Sequence, residues 1–316
     1  MGNVVQAGIG QAPARQAALY AGLSQETLCT TLNKVCASGM KAIMMASLSL
    51  MCGHQYVMIA GGMERMSNAP YYFPRGDTPY GTLQLEDGIA KDGLTDAYDR
   101  IPMGLCAEKT SKKENITQGK YNAEIVPVTV TTKKGEVIVK EDEEYKKVDF
   151  EKMKTLRTAF LKDGTITAAN ASKINDGAAA CLLMTTRQAA DELGCKPLAR
   201  IIAFADAATA PVDFSIAPAL AIPKLLKLAK VDKNDIALWE FNEAFSAVAL
   251  ANAKLLGLSL DKMNVHGGAV ALGHPIGMSG ARIVVHLCHS LKTGEKGVAA
   301  ICNGGGGASS ILIEKL

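Results

Sequence analysis

A pattern that occurs twice constrains this chain more than any other feature. Residues 36–62 hold a reactive side chain (Cys36), an apolar stretch long enough for a helix, a short β-rich run and a double glycine. Residues 274–307 hold a second reactive side chain (His274) and then the same succession, closing on Gly304-Gly305-Gly306-Gly307. Two alternating βα halves with matched reactive positions predict a duplicated α/β fold, because each unit has an apolar face that only a neighbour can cover. At 316 residues the chain is long enough for two packed units.

Local patterning fills in the frame. A helix is expected over 11–22, with Pro13 in its first turn and Gly22 as its stop. Residues 29–35 are rich in β-formers and read as a strand. Residues 40–52 are apolar nearly all round, as in a buried helix. Residues 56–60 form a continuous apolar run, as in a parallel strand covered on both faces. From about Asn68 to Asp163, Pro70, Pro74 and Pro79 break the pattern and charge rises over 140–147. That change predicts an inserted, less regular unit with short strands such as 125–131. The regular pattern returns at Thr167, with 178–184 as a buried strand. In the second half, strands at 199–204, 236–240, 297–302 and 310–316 alternate with helices at 217–228, 246–256 and 278–291.

Composition removes several classes. A net charge of +3 over a chain that is 21% charged is too weak to argue for nucleic acid. Apolar runs are interrupted by Gly, Asn, Ser or charge before the length needed to span a bilayer. The first residues, Met1 to Gln6, carry no basic leader and no myristoylation pattern. Eight cysteines at 29, 36, 52, 106, 181, 195, 288 and 302 form no CxxC pair. They read as small buried hydrophobes in a reducing compartment, with one or two exceptions.

Those exceptions stand at strand–loop–helix junctions. Cys36 is followed by the small residues Ala37, Ser38 and Gly39 just before a helix. There, backbone N–H groups and the helix dipole favour a thiolate and are expected to lower its pKa; the plainer reading is one more buried thiol. His274 is framed by glycines and followed by Pro275, an odd place for a core histidine, and a histidine is the usual activator of a nucleophilic thiol. His266, His286 and His289 suit a structural reading better. Cys302 enters the glycine run, which reads either as a linker or as backbone held close to a ligand, with N–H groups ready for an oxyanion. Asn242 precedes a helix and could be no more than its N-cap.

Taken together, the motifs resemble those of the thiolase family. They are Asn33-Lys34-Val35-Cys36-Ala37-Ser38-Gly39, Ala60-Gly61-Gly62-Met63-Glu64, Asn242-Glu243-Ala244-Phe245, Gly267 through Gly277, and Cys302-Asn303-Gly304-Gly305-Gly306. The resemblance covers nearly the whole chain and is greatest for the biosynthetic acetyl-CoA acetyltransferase type. It implies two βαβαβαββ halves layered α/β/α/β/α: an N-terminal half over 1–67 and 164–188, a coenzyme A loop domain over 68–163, and a C-terminal half over 189–316. It implies a reversible Claisen condensation of two acetyl-CoA to acetoacetyl-CoA and CoA. In that scheme Cys36 carries the acetyl group, His274 activates it, and Cys302 deprotonates the second substrate. His274 and a water on Asn242 hold the enolate, and the N–H groups of Cys36 and Gly304 hold the acyl-enzyme oxyanion.

By the same resemblance, Lys147, Val148, Asp149 and Lys152 contact the nucleotide end of CoA and Ser172 its pantetheine. The backbone of Ala168, Ala169, Ala171 and Val270 holds a potassium ion. No metal or other cofactor is required for the chemistry, the assembly is a homodimer or homotetramer, and neither nucleic acid nor membrane is a partner. The location is mitochondrial, or cytosolic given the absence of a presequence here.

Departures from the family pattern are expected to matter. The family begins with an extra strand and helix, whose lack should expose apolar surface and unpaired backbone near the first sheet. Between Ile116 and Gly119 relatives carry roughly twenty more residues, about five helical turns, including a tyrosine near CoA and potassium. Arg65 replaces a small residue beside the Gly-Gly-Met-Glu turn. Two rival readings follow: the related ketoacyl-synthase branch, whose second site is a histidine rather than Cys302, and a non-catalytic chain that only binds or assembles.

Overall fold

The computed structural model describes residues 1–77, 80–108, 121, 123–143, 146, 149–153 and 155–316. Helices α1 (Pro13–Tyr20) and α2 (Ser38–Met51) precede strand β1 (Val57–Arg65). The inserted stretch holds the short strands β2 (Tyr71–Tyr72) and β3 (Glu86–Asp87) and helix α3 (Met103–Glu108). It continues with the hairpin β4 (Val128–Thr132) and β5 (Gly135–Val139), then helix α4 (Phe150–Met153). Strand β6 (Asp176–Met184), helix α5 (Arg187–Glu192) and strand β7 (Ala199–Ala208) follow. The chain ends with α6 (Pro218–Ala229), β8 (Ile236–Phe241), α7 (Ser246–Leu256), α8 (Ala269–Leu272), α9 (Ile276–Ser290), β9 (Lys296–Asn303) and β10 (Gly307–Lys315).

The duplication is visible in the strand pairing. Helix α2 leads into β1, which pairs antiparallel with β6 from Val57–Met184 to Arg65–Asp176. Helix α9 leads into β9, which pairs antiparallel with β10. The second sheet adds β7 antiparallel to β10 and β8 parallel to β9, giving the order β7-β10-β9-β8.

The paired helices α2 and α9 pack on each other between the two sheets. Glycine makes the crossing close: a Cβ on Gly39 would lie 2.8 Å from the Ala281 nitrogen, and one on Gly280 2.7 Å from the Met40 nitrogen. Any larger residue would push the helices apart and void the core beside them.

Strand periodicity separates two cores. Along β9, Ala299 and Ile301 face the core built on Met40, Ile43, Ile276 and Ile283 of α2 and α9. Their neighbours Val298 and Ala300 face the opposite core of Ile222, Leu225, Trp239 and Phe241, under α6 and α7. A strand buried on both faces reads as a continuous apolar run, which is why this one is conspicuous in the sequence.

Several local expectations are corrected. Residues 29–35 are not a strand; Leu32 makes only an isolated parallel bridge to Gly2 before the chain turns at Val35. Strand β1 is antiparallel to its long partner rather than parallel, and among the described residues its sole parallel contact is a bridge from Gly62 to Gly2. Nor is it covered throughout, since Val57 and Ile59 are exposed. Strand β6 alternates between exposed and half-buried residues, because only one face of the β1–β6 ribbon lies on α9. On α2, Met45, Leu48 and Met51 are exposed, so the helix is buried along one side only. The interval around 116–119 lies outside the described residues.

Candidate active site

The site forms where the N-terminal end of α2 meets the turn between β9 and β10. Cys36 is 3% exposed and stands two residues before α2 begins. Its predecessor Val35 has φ of +49°, a left-handed conformation that costs a β-branched residue about 1–3 kcal/mol. Local bonds hold it there. The Val35 N–H donates to Asn33 Oδ1 (2.8 Å), the Lys34 N–H to Ser38 Oγ (2.8 Å), and the Ser38 hydroxyl to the Val35 carbonyl (2.6 Å). The twist aims Cys36 at the Gly304 backbone N–H, which donates to its sulfur together with Cys36's own N–H.

Those donors do not make a resting thiolate. Burial pushes the Cys36 thiol up to about 12, outweighing the two N–H groups that lower it. The expected low pKa is therefore corrected: in a dry pocket desolvation exceeds the helix-end effect. Cys302, fully buried at the end of β9, is raised as well, first by burial and next by the neighbouring Cys36. A Cβ on Gly304 would lie 3.6 Å from Val35 Cγ1, so the turn that follows Cys302 stands against the loop that carries Cys36. Met103 of α3, Phe214 and Val248 pack around Cys302 and keep water away.

His274 stands two residues before α9, the helix that packs on α2. The Ser279 hydroxyl donates its one proton to the Pro275 carbonyl (3.0 Å). Its oxygen is then left to accept from His274 Nδ1 at 2.6 Å, which fixes the proton on Nδ1. Nε2 is thus the free acceptor, and the Asn242 amide reaches it at 3.3 Å. Burial, with Arg282's charge second, pulls the imidazole down to about 3, so it is neutral. Asn242 is fully buried with Oδ1 unpaired. It is not an N-cap, because α7 starts after Phe245.

The glycine run is mainly a hairpin turn. Gly305 and Gly306 both have φ of +83°, and a Cβ on Gly306 would come within 2.2 Å of the Thr209 carbonyl oxygen. Of this run, Gly304 is the one whose N–H is on the thiol among the described residues.

Ser172 gives both its N–H and its hydroxyl to the Ala244 carbonyl (3.0 and 2.8 Å). Ala171 bridges Phe245, and the Val270 N–H donates to Glu243 Oε2 (3.2 Å). The turn holding Ala168, Ala169 and Ala171 and the segment holding Val270 therefore flank one strand-to-helix link, 242–245. Their carbonyls are hard oxygen donors, the chemistry an alkali cation takes. Asp149 Oδ1 accepts from the Glu151 and Lys152 N–H groups (3.1 and 3.0 Å), capping α4, while Lys152 is exposed. Lys147 and Val148 lie outside the described residues.

Sequence reasoning missed three positioning groups. Ser279 had a weak signal, five residues after His274 in the first turn of α9. Glu64 lay inside a noted motif without a role. Its buried carboxylate accepts from the Val4, Val5 and Gly277 N–H groups at 2.9–3.1 Å, tying the start of α9 to the first sheet. Glu243 similarly accepts from the Asn264 amide (2.6 Å). The structural reading of the other histidines holds for His286, which is buried against Glu124 (2.5 Å) and His266 (3.1 Å).

Two buried thiols, a neutral imidazole with a fixed proton and aimed backbone donors define a class of acyl-transferring enzyme, and sequence comparison agrees. The thiolase C-terminal domain model matches residues 195–315, and the thiolase N-terminal domain model matches 1–118 and 109–187. The chain belongs to the thiolase family.

It is 63% identical to the mitochondrial acetyl-CoA acetyltransferase of Mus musculus, an alignment covering 100% of this chain and 80% of the relative. It is 61% identical to that of Homo sapiens, covering 100% and 79%. Among solved structures, an Ascaris suum thiolase in complex with coenzyme A superposes with a TM-score of 0.93 at 50% identity, covering 100% of this chain and 86% of that one. Human mitochondrial 3-ketoacyl-CoA thiolase gives 0.92 at 34% identity, with the same coverage.

Proposed function

We propose that this chain is an acetyl-CoA C-acetyltransferase working through an acetyl group on Cys36. The observation that carries the reading is the Gly304 N–H donating to the Cys36 sulfur, with Cys302 two residues earlier on the same strand end. Cys36 Sγ attacks the thioester carbonyl of acetyl-CoA while His274 Nε2 takes its proton. The N–H groups of Cys36 and Gly304 hold the oxyanion, which collapses and expels CoA with the proton of the Cys302 thiol, leaving Cys302 as a thiolate and His274 still protonated on Nε2. Cys302 then removes a methyl proton from a second acetyl-CoA. The enolate oxygen is held by His274 and a water on Asn242. Its carbon attacks acetyl-Cys36, releasing acetoacetyl-CoA and a Cys36 thiolate that takes back its proton from His274 Nε2. Thiolysis is the reverse.

Coenzyme A is held by the loop domain over 68–163, with Lys147, Val148, Asp149 and Lys152 toward the nucleotide and Ser172 toward the pantetheine. Asp149 also caps α4 through Oδ1. A potassium ion is held by the carbonyls of Ala168, Ala169, Ala171 and Val270, bracing the link that carries Asn242. The chain works in mitochondria, like the relatives named above, and assembles as a homodimer or homotetramer. Exposed Val128, Val130, Val137 and Val139 on the β4–β5 hairpin favour assembly.

Thiolysis of acetoacetyl-CoA by the purified chain, followed by loss of the enolate absorbance with and without potassium, tests this reading. Turnover that potassium raises is expected. A folded sample that binds CoA without turnover would overturn it.

A further inference from the structure

The nucleophile loop is gripped from the second half of the molecule by one carboxylate. Asp206, on β7, takes the Lys34 ammonium on Oδ1 and the Lys41 ammonium on Oδ2, each at 2.5 Å. Lys34 lies two residues before Cys36, and Lys41 lies on the first turn of α2 after it. The carboxylate thus holds the loop on both sides of the thiol.

The grip extends to β10. The Ser309 hydroxyl donates to Asp206 Oδ1 at 2.6 Å and accepts from Lys34 Nζ at 2.7 Å, and Lys34 also reaches the Ala308 carbonyl at 3.3 Å. Ser309 stands opposite Asp206 in the β10–β7 register. Two residues along, the same strands meet the hairpin turn, where the Thr209 N–H donates to the Gly306 carbonyl (2.9 Å). One rigid strand pair therefore fixes both Asp206 and the turn that carries the Gly304 N–H.

A lone surface ion pair contributes little. This carboxylate is 36% exposed, but it takes three donors and ties β7 to two residues 165 and 172 positions away in sequence. The strained Val35 between Lys34 and Cys36 makes the loop one that needs external restraint.

We infer that Asp206 is a positioning residue: through Lys34 and Lys41 it sets the Cys36 sulfur against the Gly304 N–H, and so governs turnover rather than substrate binding. The inference rests on Cys36 being the nucleophile. Its test is steady-state thiolysis by Asp206→Asn, Asp206→Glu, Lys34→Met and the Lys34→Met/Asp206→Asn pair, beside Cys36→Ser as reference. Asp206→Asn is expected to lower kcat tenfold or more with KM for acetoacetyl-CoA within twofold, and Asp206→Glu to recover most of the loss. The double variant is expected to be no slower than the worse single one, the mark of one shared contact.

Should Asp206→Asn not fold, Lys34→Met alone is read for the same split between kcat and KM. A kcat within twofold of wild type in the folded variants, with Cys36→Ser inactive, would overturn the clamp and leave the nucleophile standing. An active Cys36→Ser would overturn the nucleophile itself. Losses that multiply in the double variant would also overturn the clamp, since they would mark two separate effects.

Discussion

Cys36 combines features that pull in opposite directions. Its backbone position supplies two N–H donors, yet complete burial holds the proton on sulfur up to about 12. His274, pulled down to about 3 by burial, holds no proton to give until it has taken one. The resting pair is therefore neutral, and charge develops only as the sulfur adds to the substrate carbonyl and turns its oxygen into an oxyanion beside the Gly304 N–H. This gives a pH prediction with a definite sign. An acid whose pKa is raised stays protonated through neutrality, and its thiolate fraction grows with pH. Alkylation of Cys36 in the free enzyme by iodoacetamide should accelerate continuously from pH 6.5 to 9, about tenfold per unit. A plateau near neutral pH would mean that a thiolate already exists. The tautomer follows from Ser279, a residue that motif reading leaves silent because serine on an apolar helix face is unremarkable until its partner is seen.

At the scale of elements, the chemistry depends on how two helix starts and one hairpin turn are brought to a point. Helices α2 and α9 cross through Gly39 and Gly280, and each delivers a reactive residue just ahead of its first turn. The β9–β10 turn delivers Cys302 and Gly304. Its geometry requires glycine at 306, where φ is positive and a Cβ would strike the Thr209 carbonyl. Gly306→Ala should cost at least about 2 kcal/mol, read as a lower denaturant midpoint with unchanged slope. An unchanged midpoint would show that the turn relaxes freely. These elements are legible in sequence to the degree that each obeys one rule: 246–256 is read with the bounds that α7 has, because apolar content and a Gly257 stop coincide. Residues 29–35 fail that rule. Their β-formers are real, but the backbone spends its hydrogen bonds on turning Val35 toward the site rather than on a ladder.

Across the whole molecule, the duplicated α/β plan is readable from sequence because period and order repeat between the halves. What sequence does not convey is the network between halves: Glu64 on Gly277, and Asp206 on Lys34 and Lys41. Most of these partners are far apart in the chain and carry ordinary residue types, so no spacing rule announces them. The covered face of β1–β6 lies on α9, while Val57, Ile59 and Leu182 stay exposed, which the buried-strand expectation could not distinguish from composition alone. The N-terminal domain model matches in two pieces that meet near residues 109–118, close to where the sequence expects an internal gap relative to the family.

The central claim is that Cys36 carries the acyl group, and its most direct measurement is intact-protein and peptide mass spectrometry after brief mixing with acetyl-CoA and acid quenching. The account predicts one added acetyl group, located on the peptide containing Cys36 and absent from Cys36→Ser. An acetyl group on Cys302 instead, or none on a sample that still cleaves acetoacetyl-CoA, would contradict it.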